Sequence, residues 1–172
     1  YANDLWISEE ENRQRFTNWN MQDKLIPVHE DATNLHFDKE LFDALISIDS
    51  YHYFAGKEGF FANNILPYIK SEGIVLIAIP GIKNEYDGRS EELLTTWLGE
   101  EAYMFQSADF WKRIIGKHED IKEVRTWEMS LFELAWQEWF DTNHKFALDD
   151  KKYFESIIKP FTTFVGIMVK KK

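Results

Sequence analysis

The feature that most constrains this chain is a series of short apolar runs set between helical patterns. Residues 74–79 form the longest, six residues without a polar side chain. A membrane-spanning helix takes about 20 apolar residues, so a run this short reads instead as a strand buried in a sheet. Phe42 to Ile48 (FDALISI) is a second such strand, expected to be buried, and residues 161–169 (FTTFVGIMV) a third. Two more are expected at residues 1–5 and 24–29, where Pro27 hints at an edge position. A further strand is expected at 121–129.

Helix signals fill the spaces between. Ser8 precedes Glu9, Glu10 and Glu11, an N-cap followed by acids where the helix dipole favours them, so a helix should run to about residue 20. Residues 56–71 read as a helix with Phe60, Phe61, Ile65 and Ile69 inward, stopping at Gly73. Others are expected at 91–98, at 107–117 with Ser107 as cap, at 130–143 and at 149–158. Strands alternating with helices predict an α/β fold with a Rossmann-like, doubly wound, mostly parallel sheet. An antiparallel closing strand should end it, with helices inserted before that strand. The whole of 1–172 is expected to be one domain, with a helical insertion or lid at about 83–118 and 130–158. Because the chain opens on Tyr1 directly inside a strand, an N-terminally truncated domain is expected.

Net charge is −10 and cysteine is absent. The charge disfavours phosphate backbones, so no nucleic acid partner is expected. Lack of cysteine removes disulfides and thiolate metal sites and fits a cytoplasmic location. No basic-then-apolar leader is expected. The five histidines show no metal-site spacing, so no metal is expected.

In open α/β sheets ligands bind beyond the carboxyl ends of the strands. The first strand ends in Asp4-Leu5, a carboxylate placed to accept hydrogen bonds from ribose hydroxyls, or simply to cap a loop. The second ends in Glu30-Asp31-Ala32, an acid for an adenine amino group beside a small residue that leaves room for the ring, or a solvated turn. The third ends in Asp49-Ser50-Tyr51-His52-Tyr53-Phe54, polar groups followed by an aromatic cluster that could line a pocket or plug the core.

In order and spacing these segments resemble class I S-adenosylmethionine-dependent methyltransferases, of the small-molecule type near the quinone and sarcosine/phosphoethanolamine enzymes. Residues 65–77 also look like that family's helix, loop and fifth strand, with Glu72 standing where the first glycine of a pair is expected. The aromatic start of the helix at Ser107 looks familial too. The resemblance implies S-adenosyl-L-methionine as cofactor, held by Asp4, Leu5, Asp31, Ala32, Asp49 and Ser50. It implies a small-molecule acceptor and a transferase activity. His52 is the candidate base, or alternatively an orienting or packing residue. The family's acid-G-x-G-x-G motif is absent: the eight glycines never form a G-x-G. Its strand is expected upstream, beside the strands ending at Asp4 and Ile48, and the fragment alone is expected to bind cofactor weakly and to be inactive. A non-catalytic methyltransferase-like scaffold is the competing reading. The aromatic stripe of Phe132, Trp136, Trp139 and Phe140 is expected to build core, or to serve as an acceptor lid.

Overall fold

The computed structural model describes residues 1–172 and divides them into two compact units, Tyr1–Asp38 and Lys39–Lys172. In the first, β1 (Ala2–Asp4) and β2 (Pro27–His29) pair in parallel and are joined by α1 (Glu9–Asn18). The helix starts where expected: Ser8 is extended at its N-cap, and its Oγ accepts from the N–H of Glu11 at 3.2 Å. Phe16 is its buried anchor. β2 is shorter than residues 24–29, because the N–H groups of Lys24 and Leu25 both donate to the Met21 carbonyl in a turn.

The second unit holds β3 (Phe42–Ile48), β4 (Ile69–Ile82), β5 (Gln106–Ser107), β6 (Ile121–Glu128) and β7 (Thr162–Lys171). The sheet order is β3-β4-β7-β6, with β5 against the end of β4. β3 and β4 are parallel, and β7 is antiparallel to both β4 and β6. This is the mostly parallel sheet with one reversed closing strand that the sequence predicts. Both β1 and β3 are edge strands within their own sheets.

Alternation decides the core. Val75, Ile77 and Ile79 of β4 sit beside Val169, Ile167 and Val165 of β7, and all six are buried. They pack against Trp111 and Ile115 of α3 (Ala108–Ile115) and against Phe61 and Ile65. α3 is capped by Ser107, whose Oγ accepts from the Phe110 N–H at 3.1 Å. The opposite face differs from expectation. β3 is not buried: it is an edge strand, and its Ile46 and Ile48 are 66% and 65% exposed.

The helix expected over 56–71 is broken into a π-helical turn at Phe61–Ile65 and a 3-10 turn at Leu66–Tyr68, after which Ile69 already belongs to β4. Pro67 explains the break, since it cannot continue a helical ladder. Phe61, Ile65 and Ile69 nevertheless point inward as predicted. β4 also runs past Pro80 to Ile82, where β5 pairs with it. Near its start β4 carries extra residues between the pairs Phe42↔Ile69 and Ala44↔Ile74. Glu72 there has φ +61°, a left-handed conformation that favours glycine. Its carboxylate meets Lys122 and Lys170, each at 2.8 Å, and these contacts hold it down to about 2.

Two helical segments complete the unit. α2 (Gly88–Leu98) follows β4, opened by a reciprocal Asp87–Ser90 capping box. Between β6 and β7 lie α4 (Phe132–Asp141) and α5 (Lys145–Asp150), then a separate π-helical turn at Phe154–Ile158 rather than one helix over 149–158. Phe132, Trp136 and Phe140 are buried on one face of α4 with Phe154 and Phe164 around them, so this stripe is core. No helix is long and apolar enough to cross a membrane.

Two tests follow. Ile167→Ala, at a fully buried position, should cost about 2–5 kcal/mol in denaturant unfolding, whereas Ile48→Ala should cost less than about 0.5 kcal/mol. Equal losses would contradict the open face. Glu72→Gly, which relieves the backbone, should melt higher than Glu72→Ala, which keeps the strain and loses the lysine contacts as well.

Candidate functional site

In the first unit, parallel pairing sets Asp4 opposite His29, so the Asp4 tip and the Glu30-Asp31-Ala32 tip leave the sheet at the same end. Asn3 ties them: its Nδ2 donates to the Glu30 carbonyl and its Oδ1 accepts from the Glu30 N–H, both at 3.0 Å. The Leu5 carbonyl lies 2.9 Å from His29 Nε2. Asp4 Oδ1 accepts from the N–H groups of Trp6 (2.7 Å) and Ile7 (2.9 Å). One carboxylate oxygen thus fastens the loop. Asp31 Oδ1 accepts from both the N–H and the hydroxyl of Thr33 at 2.8 Å, bonds that lower its pKa. Glu30 is occupied by its own loop, its Oε2 accepting from the His36 N–H at 3.0 Å. Ala32 is half-buried and Leu5 exposed.

In the second unit, Asp49 and Ser50 follow β3 directly. Asp49 holds φ +51° while its N–H continues the ladder to the Ala78 carbonyl at 2.8 Å. That left-handed residue turns the chain off the strand tip and into the 3-10 turn Tyr51–Tyr53. Ser50 Oγ lies 2.9 Å from Ser47 Oγ. The Asp49 side chain is exposed by area, yet the protein mass around it raises its carboxyl pKa.

His52 is buried, 4% exposed, with its ring tilted against Tyr53 at 4.0 Å and meeting Phe105 edge-on at 6.0 Å. Burial pushes its imidazole down to about 4, so the ring is neutral at pH 7. Its Nδ1 is buried with no hydrogen-bond partner, as is the Tyr51 hydroxyl. A neutral imidazole with an unused nitrogen can accept from or donate to a bound group, but abstracts protons with little driving force.

The sequence reading missed Phe105 and Glu101. Phe105 follows the 3-10 turn Gly99–Met104 and forms the wall against His52, while Glu101 and Asp49 both act on the Tyr53 hydroxyl and, after burial, raise its pKa. Neither belongs to a motif. The enrichment of aromatics late in the chain was the one available signal.

No family model matches the chain, and no curated protein matches it. Solved structures do. A candidate sarcosine dimethylglycine methyltransferase from Galdieria sulphuraria superposes with TM-score 0.74 at 11% identity, covering 98% of this chain and 68% of that one. Geranyl diphosphate C-methyltransferase from Streptomyces coelicolor A3(2), solved with S-adenosyl-L-homocysteine, gives 0.71 at 13% identity, covering 95% and 60%. The cyclase SpnF gives 0.67 at 11% identity, covering 98% and 64%. The fold is therefore that of the class I methyltransferases.

The buried histidine has a pH consequence. Between about pH 4 and 6.5 the unfolded chain binds a proton at His52 that the folded chain refuses, so stability falls as pH is lowered through that window. Melting His52→Phe and the parent at pH 7 and at pH 4.5 should show a smaller loss in the variant. Parallel losses would remove His52 as the source.

Proposed function

We propose that the chain is part of an enzyme transferring a methyl group from S-adenosyl-L-methionine to a small-molecule acceptor. One observation, made in each unit by itself, carries the reading: on a methyltransferase fold, Asp4 and Asp31 lie at the same end of the parallel pair β1–β2, and Asp49 directly follows β3, which is itself parallel to β4. Asp4 and Leu5 would hold the ribose edge, Asp31 and Ala32 the adenine, and Asp49 with Ser50 the part nearest the acceptor. The cofactor brings an activated sulfonium methyl. The protein's task is alignment in a site without water. His52 suits an orienting or packing role beside the acceptor better than taking its proton, because its imidazole is so weakly basic and its ring is buried. The helical segments 83–118 and 130–158 would form the acceptor wall, as part of a single methyltransferase domain acting away from membranes in the cytoplasm.

One observation favours a second reading, a methyltransferase-like scaffold without methyl transfer: none of the eight glycines forms a G-x-G turn. Calorimetric titration with S-adenosyl-L-homocysteine separates the two. In the native full-length polypeptide it should show saturable binding, weakened roughly tenfold or more by Asp4→Asn. That substitution keeps the single oxygen the loop uses. Absence of binding at high protein concentration would leave the scaffold.

A further inference from the structure

Asp150 lies half-buried at the end of α5. Its two carboxylate oxygens each accept one indole N–H: Oδ1 from Trp97 of α2 at 2.9 Å, and Oδ2 from Trp139 of α4 at 3.0 Å. Elsewhere the unit leaves buried indoles without acceptors, since Trp111 and Trp136 have Nε1 atoms with no partner. Packing alone therefore does not oblige this chain to satisfy a tryptophan. The two indoles that link α2 to α4 are satisfied by the same side chain.

The contacts continue toward the tip of β3. The Trp97 ring meets Phe105 edge-on at 5.6 Å and Trp136 at 6.0 Å. Phe105 in turn meets the edge of His52. An unbroken path thus runs from Trp139 through Asp150, Trp97 and Phe105 to His52. Its joints are stiff: a carboxylate making two charge-assisted bonds, then aromatic rings with few rotamers.

We infer that Asp150 is a positioning residue that clamps the helix after β4 to the insertion before β7 and, through Trp97 and Phe105, fixes the ring of His52. The significance of His52 rests on the methyl-transfer reading; the clamp itself does not. Only a carboxylate can fill the role at this size. Asparagine offers one acceptor oxygen and an amide that donates, so one indole N–H would face another donor. Alanine would leave both indoles unpaired.

Two-dimensional 15N–1H spectra of the chain resolve the indole protons directly. Those of Trp97 and Trp139 should exchange with solvent at least about tenfold more slowly than that of Trp6, which is 86% exposed. Asp150→Asn should shift both signals and also the ring signals of His52, while leaving Trp111 in place as the marker of an intact core. Phe105→Ala should move His52 and leave Trp139 unmoved. If Asp150→Asn loses the Trp111 signal, Trp139→Phe removes one donor while the half-buried Asp150 keeps its charge and its bond to Trp97, and it should still shift Trp97. The inference is overturned if both indoles exchange as fast as Trp6, or if His52 is indifferent to Asp150→Asn in a folded chain. Titration of the native full-length polypeptide with S-adenosyl-L-homocysteine reports separately on the methyl-transfer reading, so loss of one conclusion does not carry the other with it.

Discussion

Everything in the larger unit depends on the pairing of β7 with β4. Nine consecutive residue pairs, from Ile74↔Lys170 to Ile82↔Thr162, bring the last strand of the chain back between β4 and β6. That ladder puts the valine and isoleucine rows of two distant segments side by side and gives α3 a continuous apolar surface to cover. The parallel register of β3 with β4 carries Ile48 to Ala78, before the end of β4 at Ile82. The turn that leads to His52 starts one residue after Ile48. Gly166 shows how tight the arrangement is: a Cβ there would collide with the Trp127 indole, so the residue opposite Ala78 can only be glycine while that indole lies over β7.

Much of this was legible in the residues. Strand β3 matched its expected bounds, and the caps at Ser8 and Ser107 fell where short polar side chains precede acidic or apolar turns. Those signals are local, and local backbone bonding decides them. What failed needed long-range information. The burial of β3 could not be read from FDALISI, because an apolar strand looks the same whether or not a neighbour covers it. The break after Ile65 was written in Pro67 but outweighed by helical spacing around it. Asp149 to Ile158 read as one helix because its apolar residues keep a helical period across a point where the chain tightens and then widens its turns.

For the candidate site the division is similar. Polar residues at strand tips could be found by order and spacing, and Asp4 and Asp31 do share one end of their sheet. Their present partners could not be foreseen. Asp4 and Asp31 are both engaged by the loops they open, the bonds that the alternative role of loop cap or turn residue calls for. The neutral state of His52 comes from burial, to which Phe105 contributes a ring contact from more than fifty positions away, and no pattern in either segment announces the other. Asp150 is an extreme case. In sequence it is one of two adjacent aspartates in a polar stretch, and only the return of α2 and α4 gives it a distinct task.

The open face of β3 has a consequence for the protein as a colloid. Ile46 and Ile48 stand in a row on a strand whose outer backbone groups have no sheet partner, a surface on which a neighbouring molecule's extended segment can crystallise strand upon strand. Opposing it is charge: ten net negative units keep molecules apart at low ionic strength, and that repulsion fades as the Debye length contracts. Salt should accordingly govern how long concentrated solutions of this polypeptide stay clear.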